Sequence, residues 1–181
     1  MKRPKNIRHN VMRGYYFVRN MMRVKHYRGY GVHSPFVYGL VRHSMMMKTS
    51  IVGDDCTVFN DLCEIGTPQK RAIQLQNMFT WAGYKSAVYL TSADSKVEAS
   101  ELTDRTVCFV TPDYPMEQTV ELCATCAEKE AVVCILKPYD SRPRSKACRE
   151  IIRTHKHTSV DNRGFLLLFF NSRHPKQHFK L

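Results

Sequence analysis

The first 50 residues of this 181-residue chain contain no aspartate or glutamate, against 11 lysines and arginines. Nowhere does the sequence hold a run of the roughly 18 or more apolar residues that a membrane-spanning helix needs. Its opening, MKRPKNIRHN, has neither the apolar stretch nor the small-residue cleavage site of a secretory signal. A membrane-spanning helix is therefore not expected, and a cytoplasmic location is the expectation. The seven cysteines, at 56, 63, 108, 123, 126, 134 and 148, are odd in number and sit mostly in apolar or helical segments. Reduced core thiols fit that pattern better than a disulfide framework.

What is present is enough for one domain with a packed core, since 43% of the residues are hydrophobic. The net charge of +12 is unevenly spread. Residues 1–50 carry +11, residues 51–136 carry −7, and residues 137–181 carry +8. An acidic middle excludes a uniformly basic nucleic-acid-binding domain. The basic front still suits RNA, DNA or an anionic membrane, and equally a solvated face that neutralises the middle.

The chain divides into a basic helical extension, 1–50, and an α/β domain, 51–181. Between Ile7 and His26, Val11, Tyr15, Val18 and Met22 recur at helical spacing, with Arg8, Arg19 and Arg23 on other faces. This reads as a basic amphipathic helix able to dock on the domain, on a partner protein or second copy, on nucleic acid or on lipid. Ser34 before Pro35 reads as a cap and first turn of a second helix to about Met47. His33, in the glycine turn before it, is a candidate for bonding across the joint. Tyr27, Tyr30, Phe36 and Tyr38 suit a buried interhelical seam or base stacking.

Further along, Thr67-Pro68 opens a helix to about Trp81 with Ala72, Leu75, Met78 and Phe79 for burial, ended by Gly83. The segment 49–66 gives no clear element. Short β-branched runs at 86–91, 106–111 and 131–136 read as parallel strands buried on both faces, with crossover helices at 115–130 and 144–154. HTSV at 157–160 and GFLLLFF at 164–170 flank Asp161-Asn162-Arg163-Gly164, a tight antiparallel connection. The expected fold is α/β: a sheet of about five strands with a C-terminal antiparallel hairpin and N-terminal helices.

Two signatures add to this reading. Gly31-Val32-His33-Ser34-Pro35-Phe36 follows the arginine-rich helix, and Pro175-Lys176-Gln177-His178-Phe179 follows the hairpin. With the strand order, they resemble class I S-adenosylmethionine-dependent methyltransferases, and more narrowly a small bacterial methyltransferase-like family with GVHSPF and PKQHF motifs. The resemblance covers about residues 15–48 and 64–181. It implies a reduced Rossmann-like sheet, a glycine turn after the first strand holding the cofactor's methionine part, and an acid gripping the ribose.

The matching turn here is Tyr89-Leu90-Thr91-Ser92-Ala93-Asp94, which keeps a Thr-Ser pair and lacks the glycines and the leading acid. Only 14 residues, Ser92 to Arg105, separate the first strand from the next, whereas a βαβ unit takes about 30. The ribose and adenine edge is therefore expected to be missing. Asp113 matches a site acid, while the family's paired aspartates read Lys137-Pro138. No metal site is expected.

If S-adenosylmethionine binds, Thr91, Ser92, Asp94 and Asp113 line it. If it does not, the chain is a pseudoenzyme with a structural or interaction role, for which His33, Ser34, Pro35, Phe36, Lys176, Gln177, His178 and Phe179 are the candidate residues. An active methyltransferase of unknown acceptor, and a nucleic-acid-associated module built on Arg8, Arg19 and Arg23, remain as alternatives. Cys123 and Cys126 have the spacing of a redox pair or half a zinc site, yet fall inside a helix without a second pair, which favours plain packing. His155 and His157 read as polar residues at an exposed joint.

Overall fold

The structure is a computed structural model that describes residues 34–173 and 175–181. Arg8, Arg19, Arg23, His33 and the first amphipathic helix lie outside the described residues. Among those described, six strands form one mixed sheet: β1 (Ser86–Leu90), β2 (Thr106–Val110), β3 (Val132–Leu136), β4 (Thr158–Asp161), β5 (Phe165–Phe169) and β6 (Gln177–Lys180). Their spatial order is β1-β2-β3-β5-β4-β6. β1, β2 and β3 pair in parallel, β5 runs antiparallel to both β3 and β4, and β6 pairs in parallel with β4.

The three β-branched runs thus form the parallel half, and the hairpin closes where the DNRG turn stands. Asn162 donates its N–H to the Phe165 carbonyl at 3.0 Å. The expected sheet of about five strands gains a sixth, because the PKQHF tail returns to the edge and Leu181 N–H reaches the Asp161 carbonyl at 2.9 Å.

Among the described residues five helices cover the sheet. α1 (Pro35–Leu40) runs on through a wider turn, Val41–Met45, in which Met46 N–H bonds the Val41 carbonyl five residues back. α2 is Thr57–Glu64, α3 Gln69–Ala82, α4 Met116–Glu128 and α5 Arg142–Thr154. Strand alternation splits the core in two. Val107, Phe109, Cys134, Leu136, Leu167 and Phe169 face α1, α2 and α3, while Cys108, Val110, Val133, Ile135, Leu166 and Leu168 face α4 and α5. Val37, Leu40, Val41 and Met45 belong to the first of these clusters, so residues 37–45 share the core of the sheet.

α3 is the helix on which that layer is assembled. Ala72, Leu75, Met78 and Phe79 are buried, but so are Gln74, Gln76 and Asn77. Buried amides need partners, and these find them in the backbone of neighbouring segments. Gln74 accepts from Asn162 and Arg71 and donates to the Met45 carbonyl; Gln76 accepts from Phe59 N–H at 2.9 Å; Asn77 accepts from Val52 N–H at 2.8 Å and donates to the Ser50 carbonyl at 3.0 Å. Three side chains on one helix therefore fix the irregular stretch 45–59. Gly83 ends α3 at φ 73°, the left-handed conformation that glycine adopts without a Cβ penalty.

Candidate functional site

The carboxyl ends of β1, β2 and β3 share one rim with the β4–β5 turn. In open α/β sheets ligands bind in the crevice beyond such strand ends, and Thr91, Ser92, Asp94 and Asp113 lie on this rim. Thr111 N–H bonds the Leu90 carbonyl at 3.0 Å, which keeps the exits of β1 and β2 side by side. The N–H groups of Thr91 and Ser92, the donors an anionic ligand would use, both go to Ser95 Oγ at 3.2 Å. The loop thus folds onto its own hydroxyl. Asp94 and Asp113 are exposed. The connector from Thr91 to Arg105 contains neither helix nor strand, and β1 remains a half-buried edge of the sheet.

The crevice between β2 and β3 is filled by a residue that motif matching passes over. Arg144, in the first turn of α5, is 5% exposed. Its guanidinium donates to the carbonyls of Thr111 (2.9 Å), Leu136 (3.1 Å), Pro112 (3.3 Å) and Val110 (3.4 Å), gathering strand-end acceptors that would otherwise need a ligand or water. No carboxylate bonds it among the described residues, and burial lowers its pKa. Its Nε and the nearby Thr111 hydroxyl are buried without partners. A signal was available: Arg144, Cys148 and Ile151 recur at i, i+4 and i+7 on the buried stripe of α5.

Beyond β3 the rim continues with Lys137, whose φ of 45° is left-handed and whose N–H bonds the Gly164 carbonyl at 2.9 Å. The Tyr139 hydroxyl donates to Asp161, a fully buried carboxylate that also accepts from Arg163 N–H at 2.9 Å. Arg163 is held at φ 52° in that turn. The Arg71 side chain lies against the turn on the α3 side, where a Cβ on Gly164 would come within 2.5 Å of its Nε. Tyr139, Asp161 and Arg71 all use their polar groups within the protein, Arg71 donating to Gln74 at 2.8 Å.

Two open grooves flank the sheet. One of about 350 Å³ lies between the 93–98 segment and α4, lined by Tyr114, Gln118 and Glu121; the other, of about 600 Å³, lies at the opposite rim, lined by Phe36, Trp81, Tyr84, Arg105 and Glu130. Neither is lined by Thr91, Ser92, Asp94 or Asp113.

The two signatures have structural places. Ser34 Oγ accepts from Val37 N–H at 3.4 Å with Pro35 in the first turn, and Phe36 packs edge-on against Phe169 at 5.0 Å and beside Trp81 at 5.8 Å. In the tail, Lys176 Nζ donates to the Arg153 carbonyl at 3.0 Å, Gln177 and Phe179 lie half-buried in β6, and His178 Nδ1 meets Ser159 Oγ at 2.9 Å.

Cys123 and Cys126 do not pair with each other. Cys126 Sγ lies 3.9 Å from Cys108 Sγ on β2; that contact and burial raise its pKa, and burial pushes the Cys123 thiol up to about 12. Among the described residues no cluster of three or more histidine, cysteine or acidic side chains could hold a metal ion. One expectation is overturned. His155 is buried at 6% exposure, its ring edge-on to Phe170 at 4.8 Å and its Nε2 placed 3.1 Å from the Thr158 carbonyl, because the α5–β4 joint folds inward.

No family profile, no curated protein and no solved structure matches this chain. No helix among the described residues is long and apolar enough to cross a membrane.

Proposed function

We propose that this chain is a reduced, Rossmann-like relative of class I methyltransferases that no longer binds S-adenosylmethionine and serves a structural or interaction role. Arg144 carries the reading. Its guanidinium occupies the strand-end crevice and uses carbonyls at both β2 and β3, so a cofactor entering there would have to displace a buried, multiply bonded cation. The self-closed Thr91–Ser95 turn and the plain connector to Arg105 support the same conclusion. A methionine carboxylate placed there would meet amides already committed to Ser95.

Calorimetric titration of the purified full chain with S-adenosylmethionine and S-adenosylhomocysteine tests this. The expectation is no saturable heat with either ligand. A saturable micromolar isotherm with either one overturns the reading and restores the active-enzyme alternative.

A further inference from the structure

The nine basic residues before Ser34 take most of the net charge with them, leaving 19 basic against 16 acidic residues from Ser34 onward. That near balance hides a strong separation on the surface. At about 100° per residue, Arg142, Lys146, Arg149 and Arg153 fall within roughly 60° of one another on α5, opposite the buried stripe of Arg144, Cys148 and Ile151. All four are exposed. At about 1.5 Å per residue they form a row roughly 16 Å long.

The row continues off the helix. Lys176 Nζ is bonded to the Arg153 carbonyl. In β6, Phe179 packs on the α1–α3 side, so period-two alternation puts Lys180 on the α5 side, along with His178 beside Ser159. After residue 137 the acids are Asp140, Glu150 and the buried Asp161. Glu150 is bonded by Arg153 at 2.5 Å. Arg142, Lys146 and Arg149 make no ion pair within the described residues.

We propose that α5 and the adjoining end of β6 form a binding face for the phosphate backbone of a nucleic acid. The face is linear, rich in guanidinium groups suited to bidentate phosphate contact, and repeats its charge along one direction as a polyphosphate does. Among the described residues the exposed large hydrophobics, Tyr38, Met46, Val52, Val120 and Tyr139, belong to neither α5 nor β6. The face therefore offers no apolar anchor for a lipid interface and no aromatic platform for reading bases. Binding is through phosphates and indifferent to sequence. The proposal stands apart from the reading of the strand-end crevice, which concerns Arg144 on the buried, opposite face of α5.

The test is fluorescence anisotropy of the full chain with a labelled DNA duplex of about 20 base pairs and mixed sequence, titrated at several salt concentrations. Neutralising three phosphate contacts with Arg142→Gln, Lys146→Gln and Arg149→Gln should make the log–log salt slope less negative by about 2 to 3, at roughly 0.9 per contact. Affinity near 0.1 M salt should fall at least about ten-fold. Arg142→Lys with Arg149→Lys, which keeps the charge, should retain the wild-type slope. Circular dichroism confirms that each variant is folded.

An unchanged slope and affinity in the triple variant overturns the proposal, as does loss of binding only on neutralising Arg8, Arg19 and Arg23. No binding to the duplex, or binding to phosphatidylserine vesicles in its place, overturns it as well.

Discussion

Replacing Arg144 with methionine keeps much of the side chain's length and apolar stem while removing the guanidinium. Two of its bonds, to Thr111 at 2.9 Å and Leu136 at 3.1 Å, have good length, and two, at 3.3 and 3.4 Å, are weak. Charged hydrogen bonds contribute about 1.5–3 kcal/mol each, so the two strong ones amount to about 3–6 kcal/mol. Against this stands the cost of holding a cation out of water without a carboxylate, of the order of several kcal/mol and lowest for the weakly hydrated guanidinium. The methionine also leaves buried carbonyls at both strand ends unpaired. A net loss of about 2–4 kcal/mol is expected, or roughly 5–12 °C in melting temperature for a domain of this size. Guanidinium chloride unfolding followed by far-UV circular dichroism measures it as a lowered midpoint with unchanged slope. Arg144→Lys should recover less than half of the loss, because one ammonium cannot span both strands. If Arg144→Met unfolds within about 0.5 kcal/mol of wild type, a change typical of ordinary surface positions, the guanidinium is not holding the crevice closed.

Three further outcomes follow from particular contacts. Gly39→Ala gains about 1 kcal/mol of helix propensity, but its Cβ would stand 2.5 Å from the Trp81 ring, which is held by Phe36 and by a stacked His43. Overpacking costs about 1–3 kcal/mol, so the variant should be less stable and should shift the emission of Trp81, the single tryptophan. His155 has a pKa lowered chiefly by desolvation, so the unfolded chain binds the extra proton first. Its stabilising contribution is full above about pH 6.5 and declines as the pH falls from there toward the lowered folded value. Thermal melts across that window should show the decline, and His155→Gln, which keeps a donor for Thr158, should flatten it. Ellman's reagent should modify Cys56 and Cys63 quickly. Cys108, Cys126, Cys134 and Cys148 are buried and should react only as the protein unfolds, and Cys123 should lag because burial disfavours its thiolate.

Much of the fold could be read from the chain because its signals are local. Three β-branched runs read as strands, of which β2 and β3 are buried along their whole length while β1 stays a half-buried edge. Ser34-Pro35 and Gly83 mark helix ends by backbone chemistry alone. α2 was illegible for the converse reason. It buries only Val58 and Leu62, and its start is set by Asp55, whose carboxylate accepts from both the N–H and the hydroxyl of Thr57. β6 offers one apolar residue, Phe179, and becomes a strand because β4 presents an unpaired edge. Gln74, Gln76 and Asn77 look like a solvent face. Their burial follows from the needs of backbone 17 to 29 residues away, which a local window does not contain.

The rim was partly legible. Thr91, Ser92, Asp94 and Asp113 do stand at strand exits, where chain order places them. What the exits do with their polar groups depends on Ser95 and Arg144, and each is recognisable only once β1, β2 and β3 lie side by side. Arg144 carried a periodicity clue, but a lone arginine on an apolar stripe gives no indication of which carbonyls it will meet.

The most direct test of a closed strand-end crevice is site-resolved. In amide-shift mapping of the isotope-labelled full chain titrated with S-adenosylhomocysteine, the signals of Thr91, Ser92, Asp94 and Asp113 should stay where they are throughout. Saturable shifts at those amides, moving together with their neighbours along β1 and β2, would contradict the account.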